Sequence, residues 1–353
     1  MSEIIIALDC MGGDKAPQIV IEGADIVASK SNNINFLLFG DSKKVLPIIN
    51  HCRNLKGRFD FIHTDEVVSS SEKPSVALRK LTKSSMRLAI DSVKENKAMA
   101  VVSAGNTGAL MAIAKLVLRT LPTISRPAIV TSVPNKKNKG TVLLDMGANI
   151  ECDSNLLFEF ALMGKAFANY ALNIKNPVIG VLNVGSEELK GNSHVQNVAN
   201  MLKNSTMSNN FCGYVEGDDI VKGDVDVVVT DGFTGNVALK TIEGTAKFIS
   251  SVIKDGFTSS WLAKIGYILS SFSLNSAIKR IDPRMHNGAM LIGLNGIVVK
   301  SHGSTDAIGF ANAIMVANNL ITNKINEKII ADLNQNQDFL NNYNQVQSIN
   351  QNN

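Results

Sequence analysis

Short, almost continuously apolar runs recur along the chain, and each is followed by a turn and then by a helical pattern. The turns are rich in glycine, asparagine, aspartate and serine. Because the runs are apolar on both sides, each predicts a strand that is buried on both faces of a sheet. The runs are Ile4–Asp9, Asn35–Gly40, Ala98–Gly105, Thr141–Gly147, Pro177–Gly185 and Asp224–Gly232.

The alternation of strands with helices predicts the fold class. Strand–helix units in series are typical of a mostly parallel central sheet with helices on both faces. We therefore expect an α/β protein, a three-layer α/β/α sandwich. Ligands of such sheets bind at the carboxyl ends of the strands, where the glycine-rich turns lie. We expect four of these turns to line one crevice along one edge of the sheet.

Two segments depart from the alternation and define the expected domain organisation. Residues 334–353 are dominated by asparagine and glutamine, which predicts a disordered tail. Residues 1–333 are expected to form the α/β domain. Within it, an amphipathic helical segment at about residues 254–280 is expected to protrude.

The protruding segment holds the only tryptophan of the chain and few charges. Aromatic and aliphatic residues with serines between them and basic flanks are typical of a helix that lies in a membrane interface. A dimer interface or a core helix would show the same apolar spacing, so all three interpretations stay open. The expected membrane-contact residues are Phe257, Trp261, Ile265, Ile268 and Phe272.

Composition and charge exclude several classes of protein. A chain of 353 residues can bury a large core and needs no metal or disulfide to fold. The net charge of +4 does not argue for nucleic acid, and it permits an acidic protein partner. The four cysteines form no CxxC pair, so we expect no metal site. The N-terminus lacks a basic signal-peptide region, which favours a cytoplasmic protein.

Residues 103–108, Ser-Ala-Gly-Asn-Thr-Gly, form the best candidate for a phosphate site. They follow a buried strand and open a helix, so free N–H groups and the positive end of the helix dipole converge there. A tight turn without a ligand is the alternative. The expected phosphate-binding residues are Ser103, Asn106, Thr107 and Gly108.

Further glycine turns could complete the crevice, although turns closed by local hydrogen bonds would look the same. Gly12, Gly13 and Asp14 follow the first strand, and Asn149 follows the fourth. They are expected to contribute to substrate binding.

Three side chains are candidates for acid–base or oxyanion chemistry. His286 lies in a polar stretch before an apolar run, and His302 is its rival. Lys190 follows a buried strand and could neutralise a phosphate or an oxyanion. The alternatives are structural histidines and a solvent-exposed lysine paired with a neighbouring glutamate.

Taken together, the motifs closely resemble the bacterial phosphate acyltransferase family of phospholipid synthesis. The resemblance covers roughly residues 4–325 and rests on eight segments in order. They are IALDCMGGDKAP, SAGNTGALMA, LLDMGANIECD, LNVGSEELKGN, GYVEGDDI, VVVTDGFTGNVALK, DPRMHNGAMLIGLNG and KSHGSTDA.

The resemblance implies a fold like that of isocitrate and isopropylmalate dehydrogenases and of phosphotransacetylase. It also implies a homodimer that associates peripherally with the inner face of the cell membrane and needs no cofactor. The reaction it implies transfers a fatty acyl group from acyl carrier protein to orthophosphate. The acyl phosphate produced feeds a glycerol-3-phosphate acyltransferase.

In this reaction phosphate is itself the nucleophile, so the site has to position it and stabilise a tetrahedral oxyanion. By resemblance and residue type, Lys190, Asn236 and His286 are the expected catalytic set. A phosphotransacetylase-like acyl-CoA:phosphate transferase and a non-enzymatic membrane-bound scaffold for acyl carrier protein are the alternatives. A basic helical cluster could dock the acidic carrier or be a solvated face. It consists of Arg79, Lys80, Lys83 and Arg87.

Overall fold

The computed structural model describes residues 3–336, without the side chains of residues 275–281 and 283. It contains an eleven-stranded sheet in the order β3-β2-β1-β4-β11-β10-β5-β6-β9-β7-β8. The strands are β1 Ile4–Asp9, β2 Ile34–Gly40, β3 Phe59–His63, β4 Ala100–Ser103, β5 Ala128–Val133, β6 Thr141–Leu144, β7 Ile179–Leu182, β8 Phe211–Val215, β9 Val227–Val229, β10 Ala289–Ile292 and β11 Ile297–Lys300.

Helices cover both faces of the sheet, and most of them begin at a polar residue that follows a strand or turn. The side chains of Asp41, Ser84, Asn106, Asp153, Asn192, Asp231 and Asp306 each accept a backbone N–H of the first helical turn. The helices are α1 Gln18–Lys30, α2 Ser42–Ile49, α3 Pro74–Lys80, α4 Ser85–Lys94, α5 Thr107–Leu118, α6 Ser154–Ala171, α7 Ser193–Lys203, α8 Asp219–Lys222, α9 Gly232–Thr258, α10 Trp261–Ile281 and α11 Ala307–Thr322.

Two apolar clusters, one on each face of the sheet, confirm the three-layer α/β/α sandwich. Along β1, Ile6 and Leu8 belong to one cluster, whereas Ala7 between them belongs to the other. Helices α1, α6 and α11 pack into the first cluster, and α4 and α5 pack into the second. Each of the six predicted strands is present in the sheet.

The sheet consists of two parallel halves that run in opposite directions. Strands β3, β2, β1, β4 and β11 are parallel to one another, as are β6, β9, β7 and β8. Between them, β10 and β5 pair antiparallel with each other and with their outer neighbours. The carboxyl ends of the two halves therefore lie at opposite edges of the sheet. The expectation that four turns share one edge is wrong for this reason.

The C-terminal boundary and the protruding segment also differ from the expectations. A helical stretch continues from 325 to 336, where Asn336 is buried and contacts Thr206, so the fold extends beyond residue 333. The rest of the expected tail lies outside the described residues. The protruding segment is two helices, because α9 runs to Thr258 and α10 begins at Trp261.

Helix α9 is anchored to the sheet at its first turn, where a Cβ atom at Gly235 would overlap the carbonyl oxygen of Asp145. We predict that Gly235→Ala lowers the free energy of unfolding by about 1–3 kcal/mol, because the helix has to move away from that carbonyl. Thermal and denaturant unfolding measure the change.

Gly244 on the same helix provides the matched control, since a Cβ atom there meets nothing within 4 Å. Gly244→Ala should raise stability by about 0.5–1 kcal/mol through helix propensity. Equal effects of the two substitutions would show that the first turn of α9 is not tightly packed.

Candidate active site

A cavity of about 1240 Å³ lies on one face of the sheet, between α5 and α9. Strand β5 and the start of β10 form its floor. Its size exceeds the range of about 300–1,000 Å³ that is usual for small-molecule sites, which suits an elongated ligand. Apolar side chains line its middle. They are Met111, Ala112, Ile129, Val133, Leu239, Ile242, Ala246 and Ala289.

The wall of this cavity carries an excess of positive charge. Its basic side chains are Lys115, Lys136, Lys240, Lys247, Arg284 and Lys300. Only Glu243 and Asp282 among the cavity-lining residues oppose them. A concave site with one sign of charge attracts ligands of the other sign. The cavity therefore suits a ligand with an apolar portion and an anionic portion.

One end of the cavity is formed by the loops that follow β4 and β11, which pack against the loop after β1. The N–H of Asp14 donates to the carbonyl of Gly303 at 2.9 Å. A Cβ atom at Gly12 would lie 2.7 Å from the nitrogen of Gly105, so position 12 of this loop has to be glycine. Two of the predicted turns therefore do meet at one edge.

A buried carboxylate holds these loops together from below. Asp9 accepts hydrogen bonds from the hydroxyls of Ser85 at 2.6 Å and Ser103 at 2.7 Å, and from the N–H of Met11 at 3.3 Å. Burial raises the pKa of Asp9, and the hydrogen bonds oppose that shift. Ser103 therefore supports the turn and does not face the cavity.

Lys300, at the end of β11, lines the cavity beside this turn. Its ammonium donates to the carbonyl oxygens of Ala104, at 3.4 Å, and Ser301. Burial lowers the pKa of Lys300 to about 8, and the neighbouring Lys240 acts in the same direction. Lys300 is not among the site residues predicted from the sequence. The feature of the sequence that could have indicated it is a lysine at the end of a buried apolar strand.

The two candidate histidines lie at the same end of the cavity. Asn287 connects their segments, because it accepts the N–H of His302 at 2.9 Å and donates to the hydroxyl of Ser301 at 2.8 Å. Burial lowers the pKa of His302, and the nearby lysines lower it further. His286 and His302 both line the cavity, so both remain candidates for contact with a bound substrate.

A second group of loops, after β6 and β9, forms the other end of the cavity at the opposite edge of the sheet. The Asp145 carboxylate accepts from the backbone of Ile129 (2.9 Å), Gly147 (3.2 Å), Ala148 (3.0 Å) and Asn149 (2.7 Å), and from the Asn149 amide at 3.0 Å. Burial raises the pKa of Asp145, and these donors oppose the shift. The carboxylate thus fixes the turn that carries Gly147.

Asn236, in the first turn of α9, lies directly over Gly147. A Cβ atom at Gly147 would approach the Asn236 side chain to 3.5 Å. The backbone of Gly147 has a φ of +120°, which favours glycine. The N–H of Gly232 donates to the carbonyl of Asn149 at 2.7 Å and holds the start of α9 on this turn. Asn236 therefore reaches the cavity from the edge opposite to the histidines.

The predicted site residues separate into two groups. Thr107, Gly108, Asn236 and His286 line the cavity. The others do not: Asn106 caps α5 and donates to the carbonyls of Ser70 and Glu72, and Asn149 is bound to Asp145. Lys190 is on the surface and pairs with Glu187 at 2.8 Å. The remaining residues off the cavity wall are Gly12, Gly13, Asp14 and Ser103.

Helices α9 and α10 form a hairpin with an apolar outer side. At about 100° per residue, one side of α10 carries its exposed apolar residues, and the partly buried Ala263, Gly266 and Ser270 lie on the other. The exposed residues are Trp261, Leu262, Ile265, Ile268, Leu269 and Phe272. Phe257 does not belong to this side. It lies in the last turn of α9 and packs edge-to-face on Tyr267, with 5.5 Å between the ring centroids. None of the helices described is suited to span a membrane.

The fold defines the class of protein. A phosphotransacetylase from Streptococcus pyogenes has a TM-score of 0.62 at 16% identity, over 91% of this chain and 94% of its own. A phosphotransacetylase from Staphylococcus aureus has a TM-score of 0.55, also at 16% identity, over 90% and 94%. The chain has the phosphotransacetylase fold, and the expected α/β fold class is confirmed.

The family follows from the sequence comparisons. The family model for fatty acid synthesis proteins matches residues 4–328. The phosphate acyltransferase of Paramagnetospirillum magneticum is 50% identical over 92% of this chain and 93% of its own. That of Rhodospirillum centenum is 51% identical over 94% of both. The chain belongs to this family and is an acyltransferase, as the resemblance implied.

The Asp145 carboxylate supplies a test of how the site is built. We predict that Asp145→Asn lowers the free energy of unfolding by about 2–4 kcal/mol, because backbone donors lose a buried acceptor. Chemical denaturation measures the change.

Asp153→Asn is the control. Asp153 caps α6 by accepting the N–H of Leu156 at 2.8 Å, and asparagine caps a helix equally well. Unchanged stability of Asp145→Asn would mean that the carboxylate does not organise the turn.

Proposed function

We propose that the protein transfers a fatty acyl group from acyl carrier protein to orthophosphate and releases acyl phosphate. The observation that carries the proposal is the cavity, which combines an apolar middle with a basic wall. An acyl chain suits the first and phosphate suits the second. The similarity to phosphate acyltransferases supports phosphate as the acceptor.

The reaction balances without a covalent enzyme intermediate. An oxygen of hydrogen phosphate attacks the thioester carbonyl, the tetrahedral intermediate collapses, and the C–S bond breaks. The proton of hydrogen phosphate ends on the carrier thiol. The chain has to hold the phosphate, orient the thioester and donate hydrogen bonds to the oxyanion.

Side chains from both ends of the cavity can divide these tasks. The N–H groups of Thr107 and Gly108 are at the N-terminus of α5, where an anion is favoured. The Asn236 amide and the His286 ring are the proposed donors to the oxyanion. Lys190 would contribute only if its loop, or that of a second copy, moved to the cavity.

Exposed apolar surface supports the proposed homodimer and membrane contact. Helix α9 has only two buried residues, Gly232 and Gly235, and it exposes large apolar side chains along its length. In α10, Phe272 is 89% exposed and Trp261 is 70% exposed. We propose that one of these surfaces joins two copies and that the α10 side lies on the inner face of the cell membrane, where acyl phosphate would pass to a glycerol-3-phosphate acyltransferase.

The first measurement is turnover of palmitoyl-loaded acyl carrier protein with orthophosphate. Free carrier thiol is followed, and acyl phosphate is trapped with hydroxylamine. We expect release of both products to depend on phosphate. Thiol release without phosphate would indicate a thioesterase. Activity only with acyl-CoA would support the phosphotransacetylase-like alternative, and none with any donor would support the scaffold.

Asn236→Ala tests the role of the amide at the cavity wall. We predict that it lowers kcat by about 100-fold, as loss of an oxyanion donor does, with little change in stability. Thr241→Ala, at an exposed position of the same helix, is the control. Near-full turnover of folded Asn236→Ala would remove this residue from the catalytic set, and His286→Ala and Lys190→Ala are judged in the same way.

Trp261→Glu tests the outer side of α10. We predict weaker binding to anionic liposomes with soluble-substrate turnover largely intact, because a carboxylate is costly in the membrane interface. Thr245→Glu adds the same charge at an exposed polar position of α9 and should bind as the unsubstituted protein does. If sedimentation shows monomers for Trp261→Glu, α10 is a dimer interface.

A further inference from the structure

We propose that Lys300 binds the phosphate acceptor, together with the N-terminus of α5. The inference rests on the proposed function and assigns the phosphate position within its cavity. It places phosphate at the end of the cavity formed by the loops after β4 and β11, where His286 and His302 also lie.

Lys300 is partly buried, and its ammonium forms no ion pair in the part of the chain described. Both of its hydrogen bonds go to neutral carbonyl oxygens, those of Ala104 and Ser301. In the part of the chain that the structure describes, no carboxylate lies within 4 Å of its ammonium. The nearby Lys240 differs, because it pairs with Glu243 at 2.8 Å. A buried cation without a counter-charge is costly, and a bound anion would remove that cost.

The adjacent carboxylates do not pair with the Lys300 ammonium. Asp9 already accepts two serine hydroxyls and a backbone N–H. Asp14 and Asp9 favour the charged form of Lys300 only from a distance, whereas Lys240 disfavours it. The free protein thus holds two cations, Lys240 and Lys300, close to the same end of the cavity.

Backbone N–H donors lie beside the Lys300 ammonium. Thr107 and Gly108 line the cavity next to Lys300, and Asn106 occupies the following N–H, that of Ala109, at 3.0 Å. The N–H groups of Thr107 and Gly108 have no acceptor among residues 3–336. An ammonium and two free N–H groups form a site for a tetrahedral oxyanion.

The proposal predicts how phosphate use depends on pH. The ammonium has a pKa of about 8, so kcat/KM for phosphate should fall above that pH as Lys300 becomes neutral. The fraction of phosphate that is the dianion only increases as the pH rises, so titration of phosphate does not cause the fall. The charged groups that face Lys300 are Asp9, Asp14, Lys240 and His302. His302 cannot produce this fall, because its pKa is lowered from its ordinary value.

The experiment compares Lys300→Met, Lys300→Arg and the control Lys94→Met, which removes an exposed lysine at the end of α4. For Lys300→Met we expect the KM for phosphate to rise about 10- to 100-fold, with the KM for acyl carrier protein unchanged. Lys300→Arg should recover much of the affinity and lose the decline above pH 8, since guanidinium stays charged. Equal phosphate KM for Lys300→Met and the unsubstituted protein would overturn the proposal.

Equilibrium dialysis with radiolabelled inorganic phosphate, without any acyl donor, separates this inference from the proposed function. Phosphate binding that Lys300→Met abolishes supports the site even if no acyl donor is turned over. Phosphate-dependent acyl transfer that is unaffected in Lys300→Met refutes the site and leaves the function standing. Thermal unfolding of Lys300→Met shows that the variant is folded, and we expect no loss of stability, because methionine replaces a buried cation.

Discussion

The antiparallel pairing of β5 and β10 at the centre of the sheet determines where each functional side chain lies. Because these two strands pair antiparallel with their neighbours, the parallel halves on either side run in opposite directions. The loops after β4 and β11 then open at one edge and those after β6 and β9 at the other. A ligand that contacts both groups has to lie across the face of the sheet. The cavity between α5 and α9 takes that position.

The polar residues at the strand ends are used mainly to satisfy the backbone. Asp145 accepts four hydrogen bonds from its own turn and one from Ile129 of β5, and Asp9 accepts from two serines beneath the glycine loops. Asn106 and Asp231 cap the helices that form the two cavity walls. These contacts set the position of the residues that do face the cavity, such as Gly108 and Asn236. The chemistry of the site therefore depends on side chains that never touch a substrate.

Much of the fold could be predicted from local pattern, because apolar runs and capping residues act over a few positions. The six predicted strands exist, and the turn at residues 103–108 does open a helix at the cavity. The direction of the second half of the sheet could not be predicted, since it depends on which distant strands pair. The weaker strand signals have local causes as well: β3 is a partly exposed edge strand, and β8 contains Gly213, which has a φ of +102°.

The site was predictable only in part for a related reason. Asn236 and His286 stand in distinctive motifs and line the cavity, but Lys190, in an equally distinctive motif, lies on the surface. Lys300 gave a weaker signal, and its setting becomes visible only when burial and the lack of a nearby carboxylate are known. Sequence motifs identify chemically capable residues, whereas pairing and burial decide which of them share a space.

Helix α9 joins the cavity to the outer surface in a single rigid element. Its 27 residues extend about 40 Å, and its buried residues lie only in the first turn. Its attachment to the sheet is next to Asn236, where Gly235 packs against the Asp145 carbonyl without free space. One continuous helix therefore connects the exposed α9–α10 hairpin to Asn236, the residue that lines the cavity at its first turn.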